Sequence, residues 1–228
     1  MIQTLNRILF FGLFFLAQSH VSAQSQYQKA EDSDPEAIKI LESISRSYQS
    51  ASAHRIKFDL DIELPAQGTD TQSGTLIQSG EKFVLEMQGR QIISDSDTVW
   101  VYIEDANEVQ INDAEFDDES EIYSPADIFK LYDSGAYVFA LSTRFTEEGK
   151  DVTQIEAKPV DPDSEYAKMR LTVIDQGLKV KRLKFFAKDG GRYTMHVKSH
   201  NDSYKVSDKT FIFDYDAYEN LHIEDLRF

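Results

Sequence analysis

The chain has no cysteine among its 228 residues. No disulfide framework, thiol nucleophile or thiolate metal ligand is available to it, so an apolar core must hold the fold. Positive charge is scarce: 24 basic residues stand against 40 acidic ones, a formal net charge of −16. A surface that acidic repels nucleic acid and anionic membrane faces. There is no Gly-rich phosphate loop, no Gly-x-Ser-x-Gly elbow and no His-Glu-x-x-His, hence no sequence sign of a nucleotide site, a serine hydrolase or a zinc protease. Repeats and low-complexity tracts are also missing. Only one long apolar run exists, at the N-terminus.

That run has three parts. Arg7 supplies a positive start, Ile8 to Ala17 an apolar stretch, and Val21-Ser22-Ala23 small residues before Gln24. This is the pattern of a secretory signal peptide, with cleavage expected after Ala23. The stretch is too short to span a bilayer. No cysteine follows it to carry a lipid anchor, so a released, unanchored protein of about 205 residues is expected, the length of one compact domain.

Residues 24–34 are polar and aperiodic and read as a disordered leader. Asp34-Pro35 then opens a helix over 35–51, with Asp34 as N-cap and Pro35 at the first helical position. Ile38, Leu41, Ile44, Ser45 and Tyr48 give it one apolar stripe. From His54 the period changes to two. Ile56, Phe58, Leu60, Ile62 and Leu64 fall on one face, and Arg55, Lys57, Asp59, Asp61 and Glu63 on the other. Strands are predicted at 54–64, 71–78, 82–88, 91–94, 98–103, 108–111, 137–145, 152–157, 168–174, 179–187, 192–198 and 210–213, separated by Gly, Asp and Asn turns. Val99 to Ile103 is apolar on both faces and must be covered on both, most simply by the N-terminal helix. Residues 112–121 read as an acidic loop. Ser124-Pro125-Ala126-Asp127 opens a second helix carrying Ile128, Phe129, Leu131 and Tyr132.

The expected fold is mainly β: an incomplete antiparallel barrel of about ten or eleven strands, with short helices as a lid over an apolar cavity. Phe83, Leu85, Met87, Ile93, Trp100, Tyr102, Phe129, Phe139, Leu141, Met169 and Leu171 are the expected cavity lining. Ile38, Leu41, Ile44, Ile128 and Leu131 are the expected lid residues. Plain core packing is the competing assignment for each of them.

Several segments in order resemble the periplasmic outer-membrane lipoprotein carrier family, LolA and its relatives. They are Gly74-Thr75-Leu76-Ile77 leading into Gly80-Glu81-Lys82-Phe83, then Ser94-Asp95 with Thr98-Val99-Trp100-Val101-Tyr102, then Ser124-Pro125, Phe211-Ile212-Phe213, and Asp225-Leu226-Arg227. The resemblance implies a soluble, monomeric periplasmic chaperone for acylated lipoproteins. It would receive them from an inner-membrane lipoprotein-releasing transporter and hand them to an outer-membrane acceptor, without cofactor, metal or catalysis. It departs at one step. Family members from proteobacteria carry an arginine and a proline before the conserved Phe, the arginine holding the lid closed, and the matching positions here look like Ser79 and Gly80.

Other classes remain to be separated from this one. A lipid-binding sensor of the same fold would carry a further domain. An enzyme would need a polar group inside the apolar lining, for which Arg144, His54 and His196 are the candidates. An outer-membrane receptor would need an acylated cysteine. His196 and His200, four apart on one strand, are expected on the same face about 13 Å apart, too far to share a metal. The acidic stretches 113–121 and 161–165 do not match a calcium-loop spacing.

Overall fold

A computed structural model of the chain describes residues 29–114, 132 and 134–227. The expected signal peptide, most of the expected acidic loop and the expected second helix, with Ile128, Phe129 and Leu131, lie outside the described residues.

The expected helix forms as α1, Pro35–Ser50, with the Asp34 side chain accepting a hydrogen bond from the Glu36 amide at 2.8 Å. Twelve strands follow: β1 His54–Glu63, β2 Thr69–Ser79, β3 Lys82–Met87, β4 Arg90–Ser94, β5 Thr98–Ile103, β6 Glu108–Asp113, β7 Tyr137–Glu147, β8 Lys150–Pro159, β9 Tyr166–Ile174, β10 Lys179–Ala187, β11 Arg192–Asn201 and β12 His222–Asp225. The first eleven stand where alternation placed them. Thr210–Phe213 does not join the sheet. Asp208–Phe211 is a 3-10 turn, and the twelfth strand lies further on.

All twelve belong to one sheet of order β12-β6-β5-β4-β3-β2-β1-β11-β10-β9-β8-β7. It consists of two antiparallel meanders, β1–β6 and β7–β11, joined where β1 pairs with β11. β12 adds to β6 in parallel. The sheet is open, with β7 and β12 at its edges, and is not closed into a barrel.

The face that carries α1 is called inner here. Ala37, Leu41 and Ile44 of α1 pack there on Phe139, Ile155, Ala157, Met169, Leu171, Val173 and Leu183. The inner layer continues through Ile56, Phe58, Leu76 and Phe83, with Tyr48 and Met195 bridging the two clusters. Gly74 stands opposite Phe58, and a Cβ there would come within 2.4 Å of the Phe58 ring. The glycine gives that ring its place on the strand beside it.

On β2–β6 the outer face has its own cover. Val84, Ile93, Trp100, Val109 and Ile111 form a core with Phe211 and Phe213, and Tyr218 and Leu221 pack against it. The segment after β11 therefore lies on the outer side of β5. This corrects the expectation that α1 covers the second face of Val99–Ile103.

The expected leader is also partly structured: Ala30–Asp32 make one 3-10 turn. The Asp34 amide donates to the Phe139 carbonyl at 2.7 Å, and the Phe139 amide donates to Ser33 Oγ at 3.0 Å. The edge strand β7 is thus satisfied at Phe139 by the run into α1.

Candidate functional site: a groove beside the helix

Along α1 the inner face is not filled. A cavity of about 120 Å³ lies between the helix and β1, β9, β10 and β11. Its apolar lining is Ile44, Tyr48, Ile56, Leu171, Leu178, Val180, Leu183, Met195 and Val197, and its polar lining is Ser47, Lys179, His200 and Asp202. Each strand contributes through its alternation. Val180 and Leu183 of β10 face inward across a register shift, and Met195 pairs with Leu183. An apolar cavity of about 150 Å³ stays dry and admits a benzene ring, so this one suits a short stretch of hydrocarbon.

The helix above the groove is tied down by polar contacts at both ends. At its start, Arg144 of β7 pairs with Glu36 at 2.5 Å. Its Nε donates to Thr153 Oγ1, which in turn donates to Asp175. At its end, His54 Nε2 meets the Tyr48 carbonyl at 2.8 Å, and the Tyr48 ring stacks on the His54 ring at 4.0 Å. Just beyond, Ser79 Oγ donates to the Ser52 carbonyl at 2.8 Å. Ser79 therefore holds the segment after the helix. Gly80 follows at φ +60°, a conformation closed to proline.

The predicted lining divides between the two faces. Leu171 lines the groove, as does the lid residue Ile44. Phe139 and Met169 are buried beneath α1 with Leu41, and Ile38 and Leu141 are partly buried against the same cluster. Phe83 is buried in the adjoining inner cluster, with Leu85 and Met87 partly buried beside it. Ile93, Trp100 and Tyr102 are on the other side of the sheet. Trp100 pairs with Ile93 and Ile111, packs under Phe211 and Phe213, and donates its indole N–H to Tyr215 Oη at 2.9 Å. These three are core residues beneath the C-terminal segment, not cavity walls. Tyr48, Ile56, Leu178, Val180, Leu183, Met195 and Val197 were missed as lining, although the alternation of β11 puts Met195 and Val197 on one face; Val180 joins Leu183 only through the register shift in β10.

The three candidates for a catalytic group are dispersed. Arg144 is paired to the helix, and His54 binds Tyr48 and His200. His196 meets Asp61 at 3.1 Å on the outer face. His196 and His200 do not share a face. The register slips at Lys57/Phe58, so that Ile56 opposes His200 and Asp59 opposes His196. The spacing-based expectation fails on that bulge. Among the described residues no three His, Cys, Asp or Glu side chains converge as a metal site. The outer face of the same strands is an ionic ladder instead: Asp59 with Lys198, Glu63 with Lys184, Glu147 with Arg182, and Glu156 with Lys168 and Arg170.

Comparison with known proteins adds a family. The profile of the outer membrane lipoprotein carrier protein LolA matches residues 64–214, more than half of the chain. No curated protein matches it. Among solved structures, an uncharacterized conserved protein from Thermus thermophilus superposes with a TM-score of 0.55 at 11% identity, over 85% of this chain and 99% of that one. A LolA superfamily protein from Nitrosomonas europaea gives a TM-score of 0.39 at 14% identity, over 78% of this chain and 98% of that one. The Mycobacterium tuberculosis lipoprotein LppX gives 0.44 at 14%, over 77% and 100%. At such identities the Thermus match speaks for the fold alone.

Proposed function

Since the chain belongs to the outer membrane lipoprotein carrier LolA family, we propose that it is a periplasmic carrier that takes acyl chains of lipoproteins into the groove beside α1. The observation that carries this reading is the unfilled apolar space at the helix edge. Each methylene moved from water into such a space gains about 0.8 kcal/mol. A few carbons fit the groove as it stands. Longer chains enter by taking the place of Leu41 and Ile44 on the same strands, so that one apolar cover exchanges for another.

In this reading α1 is the lid. Its ties are polar and sit at its two ends; the Arg144–Glu36 pair at the start is exposed and exchanges with water at small cost, whereas His54 at the other end is buried. Its apolar stripe gives up contacts only when hydrocarbon replaces them. An inner-membrane releasing transporter would load the carrier and an outer-membrane acceptor would unload it, with direction set by their relative affinities. The −16 charge keeps the loaded carrier off anionic lipid surfaces in between.

The test is release of a membrane-bound lipoprotein from spheroplasts by the purified protein, as a soluble complex. Val180→Arg, which places a charge in the groove, should abolish release while leaving the far-UV spectrum unchanged. Release that persists undiminished in Val180→Arg, or no release by the native chain, would overturn the proposal.

A further inference from the structure

The polar residues of the groove lie together at one end. Lys179 opens β10, His200 and Asp202 lie at the end of β11, and Ser47 is in the last turn of α1. Because β10 and β11 are antiparallel, those strand ends adjoin. From there the walls turn apolar, through Val180 to Leu183 and Met195. Lys179 is exposed, and among the described residues its side chain makes no hydrogen bond or ion pair.

The histidine at this mouth has a fixed proton inventory. The Tyr48 carbonyl only accepts, so His54 Nε2 carries a hydrogen. His54 Nδ1 and His200 Nε2 are 2.9 Å apart and share one proton between them, whichever ring owns it. The one ring nitrogen left open is His200 Nδ1. With both rings neutral it is a bare acceptor. One added proton always ends there as an N–H donor. Burial first, then the neighbouring His54 and Lys179, hold the His200 pKa below its ordinary value, against Asp202, which raises it. Tyr48, stacked on both rings, faces them from α1.

We propose, building on the carrier reading, that the groove selects an amphiphile with a single hydrocarbon chain and an anionic head, carboxylate or phosphate, held by Lys179 and by His200 in its protonated form. Lys179 balances Asp202, and the proton on His200 supplies the remaining positive charge. Head binding therefore raises the His200 pKa and takes up one proton wherever the free histidine is neutral. Affinity rises as pH falls toward the pKa of the free protein.

Calorimetry of the purified protein with dodecanoate, dodecyl phosphate and dodecanol tests this. Buffers of different ionisation enthalpy report the protons taken up. At least one acid should bind about tenfold more tightly than the alcohol, the worth of one charge-assisted hydrogen bond. It should take up close to one proton. The tighter acid identifies the head, and either ranking supports the proposal. Lys179→Gln and His200→Gln should each erase the preference and keep dodecanol binding, and His200→Gln should also abolish proton uptake. Equal binding of acids and alcohol, or a preference that survives both substitutions, overturns the head site and leaves the carrier reading standing. Failure of all three ligands to bind sinks both.

Discussion

The two halves of the sheet use the same alternating strands and treat their outer faces differently. Over β7–β11, α1 covers the inner face, while the outer face is an open ionic ladder. Over β2–β6, the segment after β11 covers the outer face with Phe211, Phe213 and Tyr218. A half-buried strand states that one of its faces is covered, but a strand apolar on both sides does not say by what. Trp100 shows the consequence. It has the composition of a ligand wall, and its environment is that of a core residue, 8% exposed.

The largest effect should come from deleting that residue. Trp100→Ala should cost about 3–5 kcal/mol of unfolding free energy in a urea titration. If it is core and not wall, acyl-probe affinity per folded molecule stays unchanged. Loss of affinity without loss of stability would break the distinction between the halves. The inner layer can be tested where it narrows. Gly74→Ala drives a methyl into the Phe58 ring and should cost about 1–3 kcal/mol. Phe58→Leu should relieve much of that in the double variant, because the clash lies in the pair.

A smaller effect is expected at the helix tie. Arg144 and Glu36 are each more than half exposed, so Arg144→Gln should lower stability by no more than about 1 kcal/mol. It should nevertheless speed probe entry in stopped-flow, because the pair holds the start of α1. Unchanged entry would remove α1 from the lid role. The smallest effect is in acid. Burial acts to raise the Glu156 pKa, and hydrogen bonds from Lys168 and Arg170 outweigh it, so the carboxyl sits below its ordinary value. An Arg182 hydrogen bond lowers Glu147 likewise. A depressed folded pKa gives stability that is present above the unfolded value and lost as pH falls through the folded one. Acid should therefore loosen β7–β11 first, below about pH 4.5. In the other half Arg227 holds Asp225 down to about 2. Amide exchange in β8–β11 should rise before the emission of Trp100, the chain's single tryptophan, changes. The reverse order would mean that the ladder does not stabilise its half.

How much of this could be read in advance follows from the length scale of each signal. Periodicity is local: alternation located eleven strands, and the three-four apolar stripe with its cap located α1. It was also right in substance at Phe211 and Phe213, both buried with Ile212 exposed between them. The error there was to make that stretch a ladder strand. Assigning Trp100 needed the knowledge that a segment more than a hundred residues away lies on it, and nothing local carries that. Little of the groove was legible: Leu171 and Ile44 were chosen for their stripes, and the other apolar walls were not. Leu178 is at a turn with φ +46°, where periodicity says nothing. His200 was placed on the wrong face because a bulge changes the parity of β11, and a bulge leaves no mark in residue spacing.

The junction of the two meanders has a consequence for how the protein comes to be. β1 finds its second neighbour only when β11 has been made, since Arg55 pairs with Asn201. Contacts that distant in sequence form slowly. The groove draws walls from both sides of that seam, Ile56 from one and Met195 and Val197 from the other. A greasy slot is therefore never presented by a half-finished chain; it appears in the same event that completes the sheet around it.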